Sequence, residues 1–158
     1  MEDLKRILVV SMSTKHCLKA VQWGNSLAKN YKAKLYVVHI IHNPFGLEGW
    51  NLPISSLKAL EEDITKMKLK AKQTLEQYIE SEDRDDLTIE QLVIEGDPKG
   101  EIPKLIEKEE IDLVIMVTHE QDRLEHLIYG REIHDLVRKM PCSLLLVRRE
   151  LEYSHSRL

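Results

Sequence analysis

The stretch VTHEQDRLEHLIYGR, Val117 to Arg131, gathers most of the residues whose types could do chemistry. His119, Glu120, Asp122 and His126 are imidazoles and carboxylates of the kind that bind zinc and similar ions, although their spacing does not match H-E-x-x-H and His16 would have to join from another loop. Gly130 followed by Arg131 at the start of a helix offers backbone N–H groups, the positive end of a helix dipole and a guanidinium, which together suit an anion; Arg123, Lys15 and His119 could join them. Against this, Arg131 can pair with Glu120 or Asp122 and close the loop on itself. Ser11, Ser13 and Thr118 are hydroxyls with His16 and His119 as candidate bases, but a Ser or Thr near a helix start ordinarily caps it. No G-x-S-x-G elbow and no G-x-x-x-x-G-K-[ST] phosphate loop is present, and Ser11 and Met12 stand where a phosphorelay receiver needs acids. These residues are therefore read as polar loop positions, with neither a metal nor a catalytic centre expected.

Elements must position such a loop. Apolar runs at Ile7–Val10, Leu35–Ile41, Ile111–Val117 and Ser143–Val147 are continuous rather than alternating, the pattern of parallel strands covered on both faces; residues 87–96, LTIEQLVIEG, are mixed and extended. Between them, Cys17, Ala20, Val21, Gly24, Leu27, Ala28 and Tyr31 keep helical spacing, with Ser13 or Thr14 as cap. Leu57, Leu60, Ile64, Met67, Ala71, Leu75 and Tyr78 predict a longer helix begun by Ser55 or Ser56 and ended in the charged run ESEDRDD. Asp97 and Pro98 predict a capped third helix, which Pro103 should kink or delay. A last helix after Gly130 would bury Ile133, Leu136, Val137 and Met140 and stop at Met140–Pro141. Strand and helix alternate, so the expected fold is α/β: an open five-stranded parallel sheet, doubly wound, with ligands at the carboxyl ends of the strands. That rule selects the loops after the first and fourth strands.

The whole chain sets further bounds. Its 158 residues make one domain, 1–149, with a tail at 150–158. A net charge of -4 without a basic stripe excludes a nucleic-acid surface. Cys17 and Cys142 lie in apolar surroundings without metal spacing and read as thiols in a reducing compartment. No apolar run approaches the ~20 residues of a membrane helix, and MEDLKRILVV has no cleavage-site pattern, so a cytoplasmic protein is expected. Phe45 and Trp50, in HNPFGLEGWNLPIS, either form a partner surface or fold back over the sheet.

The opening RILVVSMSTKHCLKA resembles the KILVPVDGSEHSLKA start of the universal stress protein family, and VIEGDPKGEI, DLVIMVTH and MPCSLLLVRR resemble later landmarks of that family in the same order, over Leu4 to Arg149. The resemblance implies an adenine nucleotide alpha hydrolase-like fold and a site built from an Asp after the first strand and a G-x-x-G-x9-G-[ST] loop after the fourth. Here the Asp position is Met12, the first two glycines are Val117 and Glu120, the third is Gly130 and the Ser/Thr is Arg131. Met12 removes an acceptor for the adenine amino group, a hydrogen bond of ~1 kcal/mol. Val117 is β-branched where the backbone must come close to phosphate. Glu120 sets a carboxylate against phosphate oxygens, a repulsion of ~4 kcal/mol at 4 Å and an effective dielectric of ~20.

The resemblance is thus to the branch of the family that does not hold ATP tightly, a non-catalytic stress-response or regulatory protein with no required cofactor. The alternative it leaves open is a divergent ATP or AMP binder that uses Gly130 and Arg131 for phosphate, with Val9 or Val38 beside the base. The resemblance also implies a homodimer through the last strand, with Leu144, Leu145, Leu146, Val147 and Arg148 at the interface. An apolar edge strand and the prevalence of two-fold dimers agree with it. Nothing in the sequence names a further protein partner.

Overall fold

The computed structural model describes residues 4–11, 17–41, 54–80, 87–118 and 135–148. Five strands form one sheet: β1 (Arg6–Ser11), β2 (Lys34–Ile41), β3 (Ile89–Glu95), β4 (Leu113–Thr118) and β5 (Ser143–Arg148). They lie in the order β3-β2-β1-β4-β5, and every neighbouring pair is parallel. Three helices, α1 (Cys17–Tyr31), α2 (Ile54–Glu80) and α3 (Pro98–Glu109), and a helical segment at 135–139 complete the described chain.

The continuous apolar runs are explained by burial on both sides. Ile7 and Val9 point into a core layer with Ala20, Val21 and Ala28 of α1, whereas Leu8 and Val10 point into a second layer with Ile102, Leu105 and Ile106 of α3 and with Leu136. Ile7, Leu8 and Val9 are completely buried. A strand sandwiched this way gains from every side chain, ~1.5 to 3 kcal/mol for each large one. β3, whose mixed pattern set it apart, is an outer strand with every residue partly buried.

Several boundaries differ from the sequence reading, each for a local reason. β4 begins at Leu113, because the Ile111 N–H is taken by Ile106 O at 3.0 Å in the C-cap of α3, where Glu110 adopts a left-handed conformation. Asp97 caps α3 as expected, and Pro98 starts it. Pro103 neither delays the start nor ends the helix, which continues to Glu109. Ser55 and Ser56 fall inside the first turn of α2 rather than before it.

The predicted apolar stripes each include a residue that the fold leaves exposed. Tyr31 is 45% exposed because it is the last residue of α1, past the sheet. Met67 is 53% exposed although Ala71, one turn on, is buried: α2 lies over β2 and β3 near the sheet edge. Val137 is likewise turned outward, while Leu136 beside it is buried and Met140 half-buried past the helical segment. The proposed caps Ser13 and Thr14, the end run 81–86 and Ile133 lie outside the described residues.

Gly24 fixes how closely α1 approaches the sheet. A Cβ placed there would come within 2.6 Å of Val9 Cγ2 and 3.1 Å of Leu35 Cδ1. Gly24→Ala would gain about 1 kcal/mol of helix propensity, but overpacking two buried side chains costs about 1 to 3 kcal/mol. We expect a net loss, read as a lower midpoint with unchanged slope in urea unfolding; an unchanged or higher midpoint would show that α1 can ride outward freely.

Candidate functional site

The order β3-β2-β1-β4-β5 reverses direction between β1 and β4. Strands leading to β2 and β3 cross over on the α1/α2 side, while α3 returns on the other, so the connections diverge and leave a crevice at the carboxyl ends of β1 and β4. Ser11 ends β1 there, and Val117 and Thr118 end β4. This is the pair of loops that the sequence selects.

Of the residues assigned to the degenerate nucleotide site, Val117 is described. β4 runs through it: Val117 pairs with Val147 and Thr118 with Arg148. The Val117 side chain is half-buried and packs against the core layer of Ile7, Val9 and Ile115. The position where a phosphate loop would open with glycine is therefore a sheet residue anchored by its own side chain. Met12, Glu120, Gly130 and Arg131 lie outside the described residues, as do Ser13, Lys15, His16, His119, Asp122, Arg123 and His126, and the aromatic pair Phe45 and Trp50. Among the described residues no group of three His, Cys, Asp or Glu side chains is placed to hold a metal.

A polar pair that sequence reasoning missed sits beside the crevice. Ser11 Oγ and His39 Nδ1 are 3.1 Å apart, and the two residues face each other in the β1–β2 ladder. Both are buried, Ser11 at 2% and His39 at 9% exposure. The sequence offers Ser11 the loop residues His16 and His119 as bases, whereas its partner is a histidine inside the apolar run LYVVHII. The available signal was a polar residue near the end of each of two neighbouring strands. Burial lowers the His39 pKa, so the neutral imidazole is favoured, and the tautomer sets which of Nδ1 and the Ser11 hydroxyl donates. A serine so nearly buried has little access to a substrate, and the pair fastens the ends of β1 and β2 to each other.

The opposite end of the sheet is fixed by charge. Asp112 accepts N–H bonds from Lys5 and Arg6, both at 2.8 Å, donates its own N–H to Arg6 O at 3.0 Å, and accepts at its carbonyl from Ser143 N–H at 3.2 Å. One residue thus joins β1, β4 and β5 where they begin. Arg6 pairs with Glu110, and Lys34 reaches Glu90 at 2.6 Å while lying over the Tyr36 ring. The Tyr36 hydroxyl donates to Glu109 at 3.0 Å and holds that carboxyl below its usual range. Cys142 is a free, partly buried thiol whose pKa burial raises, which suits an unreactive side chain. The side chain of Cys17 lies outside the described residues.

Comparison with known proteins now bears on this geometry. The model of the universal stress protein family matches residues 3–148. The chain belongs to the universal stress protein family. Among solved structures it is similar to universal stress protein UspA from Lactobacillus plantarum, with 18% identity, a TM-score of 0.70 and coverage of 94% of this chain and 100% of that one. It is also similar to a universal stress protein in complex with cAMP (15% identity, TM-score 0.60, 93% and 98% covered). A third similar structure is the universal stress protein from Archaeoglobus fulgidus in complex with dAMP (16%, 0.58, 92% and 98%). At such identities the likeness is one of fold, the five-stranded parallel α/β sheet described above. No curated protein matches the chain. No helix among the described residues is long and apolar enough to cross a membrane.

His39 makes the family fold of this chain acid-sensitive in a definite direction. Its folded pKa is lowered relative to the unfolded chain, so the unfolded state takes up the proton first. The stability it contributes is complete above its unfolded pKa and is lost as pH falls below about 6.5 toward the folded value. We expect unfolding free energy to fall between pH 7.5 and 5.5, and His39→Gln to flatten that slope by at most one proton, about 1.4 kcal/mol per pH unit. Parallel slopes for the two proteins in urea titrations would rule out His39 as the group responsible.

Proposed function

We propose that this universal stress protein is a non-catalytic regulatory or stress-response member, cytoplasmic, whose nucleotide loop is degenerate and does not hold ATP tightly. The observation that supports this most directly is Val117. In the ladder opposite Val147 and packed on the core, it has neither the freedom nor the absence of a side chain that close backbone approach to a phosphate requires. Met12 and Glu120 add, from the sequence, a lost adenine acceptor and a charge of the wrong sign. Arg131 after Gly130 is the one change toward an anion. Since two similar structures are complexes with cAMP and dAMP, an adenine monophosphate held through Gly130 and Arg131 is the second reading.

The protein would act as a homodimer in which β5 pairs with its counterpart from a second copy. β5 is the outer strand beyond β4, and Leu146 is 43% exposed on it. The interface would take in Leu144, Leu145, Leu146, Val147 and Arg148.

Calorimetric titration with ATP, ADP, AMP and cAMP, with and without magnesium, tests the nucleotide reading. We expect no saturable binding tighter than ~100 μM, a free energy of about 5.5 kcal/mol. Tighter binding of ATP would overturn it. Tight binding of a monophosphate that is lost in Arg131→Ala would establish the second reading in its place.

A further inference from the structure

Trp23, on α1, is 47% exposed, a large apolar surface on a helix whose other face packs into the core through Ala20, Val21 and Ala28. Its direction follows from its neighbours. Gly24 faces the sheet over Val9 and Leu35, and successive helical residues turn by about 100°, so Trp23 and Asn25 point to opposite flanks of α1. With right-handed crossovers, α1 descends in front of β1 and leans over β4 more than over β2, α2 lies beyond it over β2 and β3, and β5 lies on the other side. That handedness turns Asn25 toward α2 and Trp23 toward β5. Burial agrees, since Asn25 is 3% exposed and Trp23 is half open.

The height of Trp23 follows from the register. Val9 is paired with Ile115, and Ile115 with Leu145. Gly24, seated on Val9, is therefore level with Leu145, and Trp23 lies about 1.5 Å further toward the carboxyl edge. That level is the middle of Ser143–Arg148. A two-fold axis normal to the sheet through an antiparallel β5–β5 pair would cross it there and put both copies of α1 on one face. With strands ~4.8 Å apart, β1 would lie about 12 Å and β4 about 7 Å from the two-fold, so an α1 axis over β1 and leaning toward β4 lies roughly 10 to 12 Å from it, a gap that an indole reaching in from each side nearly closes.

We infer that Trp23 is an anchor of a two-fold interface with a second copy of this chain, the two indoles meeting across the axis above the paired β5 strands. The inference rests on the β5 homodimer proposed above and names what completes it. A six-residue strand pair covers only about 20 by 10 Å, roughly 400 Å² counted on both copies, whereas stable interfaces bury about 1,200 to 2,000 Å². Side chains flanking the edge must supply the rest, and tryptophan is among the residues that most often dominate such contacts. On the opposite face, Leu146 provides the matching apolar surface.

Sedimentation over a dilution series, with cross-linking by a short bis-maleimide in a Cys17→Ser/Cys142→Ala background, tests it. Trp23→Ala is expected to fold, because the side chain is half exposed, and to weaken dimerisation at least tenfold; Tyr31→Ala, another exposed aromatic of α1, should not. Trp23→Cys is expected to give a covalent dimer and Tyr31→Cys none. If the wild type is dimeric but Trp23→Ala dissociates no more readily and Trp23→Cys does not cross-link, the role of Trp23 is overturned while β5 pairing stands. A wild type that is monomeric up to ~100 μM overturns both.

Discussion

Everything in this structure is referred to β1. It is the middle strand, it is buried on both faces, and both neighbours take their register from it: Val9 stands level with Val37 on one side and Ile115 on the other. A parallel strand with no exposed face demands a helix layer on each side, and right-handed crossovers can supply both layers only if the chain reverses its direction of travel at β1. The crevice at the carboxyl ends of β1 and β4 is thus a consequence of burying Ile7, Leu8, Val9 and Val10. It would exist whether or not anything bound there, which is why the family fold by itself does not decide ligand binding in this chain.

The two ends of the sheet are secured differently. At the amino end, backbone groups of β1 and β5 converge on Asp112, and the pairs Arg6–Glu110, Lys34–Glu90 and Tyr36–Glu109 lie along the same end, exposed or part-buried and individually weak. At the carboxyl end the described polar contact between strands is neutral and buried, Ser11 to His39. A carboxylate beside His39 would favour the imidazolium. Its diagonal neighbour on β3, Glu95, is engaged by Lys68 of α2 at 2.8 Å. Desolvation consequently wins, and the histidine stays neutral.

How much of this the sequence carried depends on what each feature needs. Strand centres were legible because two-sided burial writes itself as an unbroken apolar run, and the Asp97–Pro98 start of α3 because capping is local. Strand limits were less so: Ile111 is as apolar as its neighbours, and only the hydrogen bond to Ile106 removes it from β4. Helical periodicity identified the buried stripes but not how far the neighbouring layer extends, hence Tyr31, Met67 and Val137. Ser11 and His39 could not be matched without the β1–β2 register, which is a tertiary fact. Val117 was legible as a missing glycine, yet its place in the ladder with Val147 required the fold.

The same contrast separates the two edges of the sheet. An outer strand exposes unpaired N–H and C=O groups, and charge on or beside it discourages a second chain from adding there. β3 carries Glu90 and Glu95, each in an ion pair with a lysine, Lys34 from β2 and Lys68 from α2. Any strand arriving at that edge would have to displace or desolvate them. β5 reads SLLLVR, without a charge until its last residue, and Leu144, Leu145 and Leu146 are left partly open. On a chain with net charge -4, whose copies repel at long range, association needs an apolar surface free of acids to be favourable. β5 meets that condition and β3 does not, so the same distribution of charge guards one edge and leaves the other suited to the pairing proposed above.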